Sequence, residues 1–333
     1  MGIVVRRGIA LALALVVFTA CSGPSGVDVS HDWSGIDGFL LMKVDGLVTV
    51  TGIDSVRGRA RPMIVIPSRS DDDDVLAPQI ARSSDGTALI TRPRTSSTGV
   101  LYRIGIGDPS AERVGTVADG SRIYPWAGGW VEVAPRGSGS LVRVLDARLH
   151  EIRSVTVPIA LDQVATDGAD HVCLASGGTT PRGSSVDLVS ATVSRSTAVT
   201  AGGILGCVSG RPVVVIARDA SGTRPMPAAG SVHLVRGPTA EVQLPVGRID
   251  GVVASGDDLY AVVGIGSKLV ALDIDLGAGT VGTAIDLTGL VAADDLYIAA
   301  QSLVVADGDN ATILDLATDH VTRVSLPGQV FPN

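Results

Sequence analysis

The chain has few of the residues that mark specialised protein classes. Its 333 residues include only three cysteines, aromatic residues make up 3%, and charged residues make up 18%. Three cysteines exclude a disulfide-dense scaffold, and a hydrophobic content of 45% excludes a mainly disordered chain. The net charge of −8, with no basic cluster beyond the N-terminus, argues against nucleic acid as a partner.

Long amphipathic helices are also missing from the pattern. No run of about 12 residues places apolar side chains at helical spacing between good caps. Short apolar runs rich in Val, Ile and Thr recur instead, each bounded by Gly, Asp, Asn, Ser or Pro. This alternation of short strands and turns predicts an all-β fold.

The N-terminus has the features of an export signal. Arg6 and Arg7 precede an uncharged apolar stretch from Gly8 to Phe18. That stretch is shorter than the about 20 residues of a membrane-spanning helix, but it fits the apolar region of a signal peptide. We therefore expect the part of the chain that follows to lie outside the cytoplasm.

The small residues Thr19 and Ala20 precede Cys21. This junction resembles the lipobox of bacterial lipoproteins, although Phe18 stands where that pattern prefers Leu. The resemblance implies removal of residues 1–20, acylation of Cys21 with diacylglyceryl and palmitate, and anchoring to the extracytoplasmic face of the cell membrane. Ordinary signal cleavage before Gly23 is the alternative. Residues 21–35, rich in Gly and Ser, are predicted to be a flexible tether.

The rest of the chain repeats with a nearly constant period. From Ile249 to Leu287, four short apolar strands alternate with turns, and similar units run from Arg122 to Val157 and from Ile298 to Leu326. Four antiparallel strands joined by hairpins form a propeller blade, so residues 36–328 are predicted to be a seven-bladed β-propeller. Six blades with an irregular cap are the alternative; two β-sandwiches would show no constant period. The first strands of successive units, about 40 to 48 residues apart, are expected at Leu40, Ala81, Ile123, Val164, Ile204, Val252 and Ile298.

Two further expectations concern this ring. Closure is predicted from the N-terminal segment, either Val27–Trp33 or the part near Phe39, pairing beside Val321–Leu326. In three units the third strand ends in a Leu-Asp pair whose carboxylate is expected to accept hydrogen bonds from the next turn. These aspartates are Asp146, Asp273 and Asp315.

Two segments resemble known propeller repeats. LVALDIDLGAGTVGTAIDL, from Leu269 to Leu287, is similar to the repeat of PQQ-like and YVTN-type propellers. SSDGTALITRPRTSSTGVLYRI, from Ser83, resembles the S-x-D-G-x-x-[IL] repeat of TolB-like propellers. Both resemblances imply a blade and no particular reaction. The blade-locking tryptophans of quinoprotein dehydrogenases are missing, so we expect no bound quinone and no other cofactor.

The sequence contains no recognisable catalytic motif. It lacks G-x-S-x-G, a P-loop and H-E-x-x-H, and no catalytic residue is assigned. The acidic run Asp71–Asp74 lacks the spacing of a calcium loop and is interpreted as a solvated loop, so no metal site is predicted. The histidines are single and far apart: His31, His150, His171, His233 and His320.

Two groups of residues remain as candidate features. Tyr124, Trp126 and Trp130 are close in sequence and could form a ligand or partner patch, or could fill the gap between blades. Cys173 and Cys207 fall in adjacent units of a chain expected to be exported, so a disulfide is predicted, with buried free thiols as the alternative.

These observations favour a lipid-anchored binding or scaffold module for a protein or a cell-envelope ligand, without catalysis of its own. A hydrolase or lyase acting on envelope carbohydrate or small molecules is the first alternative. A solute-sensing partner of a membrane transporter or kinase is the second.

The lipobox interpretation predicts the behaviour of Cys21→Ser. This variant cannot be acylated, so it should leave the membrane fraction or retain an uncleaved signal. Cell fractionation with immunoblotting measures both effects. Fractionation and migration identical to those of the wild type would contradict the lipid anchor.

Overall fold

The structure, a computed structural model, consists of antiparallel β-strands and turns. It describes residues 26–67, 78–92, 98–176, 182–194, 197–198, 204–218, 232–236, 241–245, 247–255, 257–299 and 301–332. These ranges contain no α-helix, and so no helix able to cross a membrane. Cys21 and the predicted signal, residues 1–20, lie outside them, as does Asp71–Asp74.

The strands follow one another through short hairpins. In chain order they are β1 (Gly38–Val44), β2 (Leu47–Asp54), β3 (Arg59–Val65), β4 (Gln79–Arg82), β5 (Thr87–Arg92), β6 (Thr98–Gly105), β7 (Glu112–Ala118), β8 (Arg122–Trp126), β9 (Gly129–Arg136), β10 (Gly139–Asp146), β11 (Glu151–Val157), β12 (Gln163–Thr166), β13 (His171–Ala175), β14 (Arg182–Asp187), β15 (Thr192–Val193), β16 (Thr197–Ala198), β17 (Ile204–Val208), β18 (Arg211–Arg218), β19 (Val232–Arg236), β20 (Glu241–Leu244), β21 (Arg248–Ser255), β22 (Asp258–Ile265), β23 (Lys268–Asp275), β24 (Thr280–Val281), β25 (Ile285–Asp286), β26 (Asp295–Ala299), β27 (Ser302–Asp307), β28 (Asn310–Asp315), β29 (Val321–Ser325) and β30 (Gln329–Val330).

These strands form seven antiparallel sheets. The first sheet has the order β3-β2-β1-β30, and the second and third contain β4–β7 and β8–β11. The fourth and sixth contain β12–β16 and β21–β25, and in each the outer position is divided between two short strands. The fifth and seventh contain β17–β20 and β26–β29. The four-stranded antiparallel blade predicted from the repeat is confirmed.

Each sheet packs face to face against the next. One hydrophobic cluster lies between every pair of consecutive sheets, and a further one joins the seventh sheet to the first. In β22, for example, Ala261 and Val263 face the fifth sheet while Val262 faces the seventh. Because the middle strands are buried on both faces, they are continuous apolar runs in sequence rather than alternating ones. The arrangement is a β-propeller.

The turn residues fit these hairpins. β1 and β2 are joined by Asp45 and Gly46, both with positive φ (48° and 82°). Two consecutive residues with positive φ form a type I′ turn, whose twist matches that of paired strands. Asp-Gly is among the sequences that adopt this turn most readily.

The predicted role of the strand-ending aspartates holds in two of three cases. A carboxylate oxygen of Asp146 accepts backbone N–H groups of Arg148 and His150, both at 2.8 Å. Asp315 likewise accepts the N–H groups of Ala317 and Thr318. These backbone bonds lower the pKa of Asp146 and of Asp315.

Asp273 is the exception. In its sheet the bonds from Gly277 and Ala278 go to Asp275, because β23 continues for two more residues. Burial raises the pKa of Asp273, and the nearby Asp258 adds to the effect.

The first sheet is completed from the C-terminal side of the chain, so the predicted direction of closure is wrong. β30 pairs with β1 at Met42 and Lys43, and the N–H of Phe331 donates to the carbonyl of Leu41 at 2.9 Å. The seventh sheet already has four strands of its own. The first unit supplies only β1–β3, so it is the one that needs a strand from the other end.

Much of the predicted tether is packed against this sheet. The N–H of Ser30 donates to the carbonyl of Pro62 at 2.8 Å, and Asp32 pairs with Arg61 at 2.6 Å. Val27 is buried in the cluster between the first and seventh sheets. Residues 27–35 therefore form a strap along β3.

One arginine links the sheets on either side of the first. Arg82 of β4 donates from Nε to the carbonyl of Phe39 at 2.6 Å and pairs with Asp295 of the seventh sheet. Its guanidinium carbon lies 3.9 Å from the centroid of the Tyr297 ring. β30 pairs with only two residues of β1, so Arg82 takes the ladder hydrogen bond that a longer strand would make at Phe39.

This cluster predicts a large stability loss for Arg82→Met. The Asp295 side chain is 1% exposed, and the variant leaves its charge buried without the guanidinium that faces it. We expect the free energy of unfolding to fall by about 3–5 kcal/mol, measured by urea titration. Arg103→Met removes an exposed pair with Glu112 and should cost less than about 1 kcal/mol. Equal losses in the two variants would contradict a special role for Arg82.

Candidate functional site

Two grooves open on the same face of the ring. Each lies between neighbouring sheets and is lined by the turn after a sheet's first strand and the turn after its third strand. Because the sheets repeat, these turns share one face, which we call the groove face.

The first groove, here the Trp126 groove, lies between the second and third sheets. Its walls are the turn between β4 and β5, the end of β6 with the turn that follows, and the turn between β8 and β9. Its volume is about 420 Å³. That size is within the range of pockets that bind small molecules.

Two glycines, Gly128 and Gly129, leave the space that the hairpin carrying the tryptophans of this groove requires. Nε1 of Trp126 donates to the carbonyl of Leu145 at 3.2 Å. A Cβ atom at Gly128 would clash with the Trp126 ring, and one at Gly129 would lie 2.6 Å from the Leu145 oxygen. Larger residues at either position would displace the hairpin that holds Trp126 and Trp130.

The predicted aromatic patch is divided between the two faces of the third sheet, because Tyr124 and Trp126 pack on one face and Trp130 on the other. Trp126 and Trp130 line the Trp126 groove, but Trp130 is only 2% exposed and packs against the second sheet. Tyr124 and Trp126 both pack against the cluster between the third and fourth sheets, and burial raises the pKa of Tyr124. Trp126 and Trp130 therefore meet in one groove, and all three aromatics also pack in gaps between blades.

Charged and polar side chains surround the tryptophans. Asp85 accepts the N–H of Thr87 at 2.8 Å, and Asp108 accepts the N–H of Ser110 at 3.0 Å. Burial acts to raise the pKa of Asp85, but hydrogen bonds from Thr87 and Ser83 outweigh it, so the pKa is lowered and the carboxylate is ionised at neutral pH. Arg103 pairs with Glu112 at 2.6 Å. Sequence reasoning missed these residues, because their turns belong to another blade than the tryptophans.

The second groove lies between the fifth and sixth sheets and has a volume of about 390 Å³. Four aspartates line it, with Arg211 as the charged residue of opposite sign. Asp257 accepts a hydrogen bond from Ser209, and Asp273 has the raised pKa described above. This groove is electronegative.

The histidines remain dispersed. His171 bonds to Asp167 at 2.8 Å and His150 lies 3.3 Å from Asp146, each within its own turn. The position of the His233 side chain is outside the described structure. Within the described ranges, no group of three or more His, Cys, Asp or Glu side chains could hold a metal ion.

Cys173 and Cys207 form a disulfide between the fourth and fifth sheets. Their Cα atoms are 5.5 Å apart, and both residues are fully buried. Cys173 lies on β13 and Cys207 on β17. Ala175, Leu205 and Val214 pack around the bond.

Comparison with known proteins supports the fold. No family model and no curated protein matches the chain. A proposed 6-phosphogluconolactonase of Bacteroides fragilis superposes with a TM-score of 0.54 at 11% identity, covering 91% of this chain and 98% of that one. The β-propeller domain of the trilobed protease of Pyrococcus furiosus superposes with a TM-score of 0.51 at 7% identity, covering 85% and 83%. At these identities the likeness concerns the fold alone.

The disulfide predicts a measurable loss of stability when it is removed. Cys173→Ala combined with Cys207→Ala should lower the free energy of unfolding by about 3–4 kcal/mol, because the bond closes a 34-residue separation in the unfolded chain. Urea titration measures the loss, and the wild type in reducing agent should shift in the same direction. Reaction of native protein with iodoacetamide at these two positions would contradict the bond.

Proposed function

We propose that this chain is a lipid-anchored, extracytoplasmic binding module whose ligand site is the Trp126 groove. The anchor is supported by the N-terminal signal and Cys21. The binding site is supported by one observation: tryptophan, carboxylate and guanidinium groups converge in one concave site of suitable volume.

We also infer that the seven sheets are seven blades of one closed ring, rather than six blades and an irregular cap. The support is that consecutive sheets share one hydrophobic cluster each, and that another cluster joins the seventh sheet to the first. The first sheet has the same four positions as the others, since β30 occupies the innermost one.

An envelope saccharide fits this groove best among ligand classes. Trp126 offers a partly exposed indole at the wall, and an aromatic ring can cover the apolar face of a sugar. Asp85, Asp108 and Glu112 supply acceptors for sugar hydroxyls, and Arg103 supplies donors.

The groove is preformed. Asp85 and Asp108 are held by bonds within their own turns, and Trp126 is held by the Leu145 carbonyl. Groups already fixed in place lose little entropy when a ligand binds, which favours affinity.

Tryptophan fluorescence tests this proposal. The chain has only three tryptophans, and the third, Trp33, lies in the strap, residues 27–35, against Phe39. Residues 22–333 are titrated with soluble fragments of envelope polysaccharide, and we expect a saturable change in emission. Trp126→Phe should weaken binding about tenfold, which corresponds to about 1.4 kcal/mol.

Trp33→Phe is the matched control and should bind like the wild type. Thermal unfolding of both variants verifies that they fold. Unchanged affinity in Trp126→Phe would overturn the site, and binding of peptides but not of saccharides would overturn the ligand class.

A further inference from the structure

The direction in which the chain leaves the ring follows from the contacts of the strap, residues 27–35. The strap runs antiparallel to β3: Ser30 bonds to Pro62, and Asp32 pairs with Arg61. A Cβ atom at Gly35 would lie 2.7 Å from the guanidinium of Arg57. The register therefore places Gly35 beside the start of β3 and Val27 beside its end at Val65.

The two ends of β3 belong to opposite faces of the ring. Its start follows the turn from Ser55 to Gly58, and its end lies on the same side as the Asp45–Gly46 turn. β3 is the outermost strand of its sheet, as β7 and β24 are of theirs. The turns before β7 and β24 line the two grooves, so the start of β3 is on the groove face. Gly26 is consequently on the opposite face.

Chain length then limits how the ring can sit on a membrane. Five peptide steps separate Cys21 from Gly26. They span at most about 18 Å in any conformation. β3 has seven residues and is about 20 Å long, so the lipid cannot reach the groove face from Gly26.

We propose that the propeller is held with the face opposite the grooves toward the membrane, so that both grooves open away from the lipid. This orientation rests on the proposed lipid anchor at Cys21. It gives the Trp126 groove access to large envelope polymers, which could not enter a groove pressed against lipid headgroups.

Quenching of a fluorophore on the protein by nitroxide groups on the lipid headgroups tests the orientation. The full lipoprotein is reconstituted into vesicles that contain lipids with nitroxide headgroups, and one cysteine reporter is labelled with a small fluorophore. Lys43→Cys reports from the membrane side of the first sheet, and Val56→Cys, at a residue 90% exposed, reports from the groove face of the same sheet. Cys173 and Cys207 do not react because they are bonded to each other and buried.

We expect the fluorophore at position 43 to lose most of its emission while the one at position 56 keeps most of it. Insertion of a long Gly-Ser linker after Ser25 should reduce the difference, because it removes the length limit. Equal quenching at both positions without the linker, or stronger quenching at position 56, would overturn the orientation. A wild-type protein that does not float with the vesicles would overturn the anchor itself and the orientation with it.

Discussion

Closure of the first sheet is the interaction on which the rest of the ring depends. Every other sheet is built from consecutive strands, whereas this one needs β30 from the far end of the chain. β30 supplies only two residues, so side chains complete the junction. The buried pair of Arg82 with Asp295 and the contact of Arg82 with Tyr297 bring the second and seventh sheets together across the gap.

We interpret the buried ion pair at this place as a source of specificity more than of net stability. Removing two charges from water costs several kcal/mol, and the attraction repays it only when geometry and further hydrogen bonds are good. Arg82 has those bonds, since it also binds the Phe39 carbonyl. Apolar residues could pack as firmly, but they would not fix which sheets meet.

The sequence predicts the repeat well, because hydrophobic runs and turn residues are local signals. Six of the expected first strands fall on β4, β8, β12, β17, β21 and β26. Leu40 lies on β1, which is the second strand of its sheet because β30 takes the first position. A strand of two residues has no periodicity, so nothing in the sequence distinguishes β30 from a loop.

The candidate site is harder to predict from the sequence, because the signals that reveal strands are local and the groove is formed between blades. Tryptophans in one hairpin are visible in sequence, but the groove exists only because turns of another blade face them. The disulfide could be predicted from the sequence because its cysteines fall in adjacent units, which must pack against each other. The pair of Arg82 and Asp295 spans 213 positions and had no local signal. Local patterns thus reveal blades, whereas sites between blades depend on how the sheets pack.

The position of β30 also affects how the protein folds. A chain made from its N-terminus produces β1, β2 and β3 first, but their sheet lacks its innermost strand until nearly all later strands exist. Contacts between such distant segments slow folding, since a long loop must close before they form. Until then the free edge of β1 and the apolar residues that later pack on the seventh sheet are exposed, which is the state most open to aggregation.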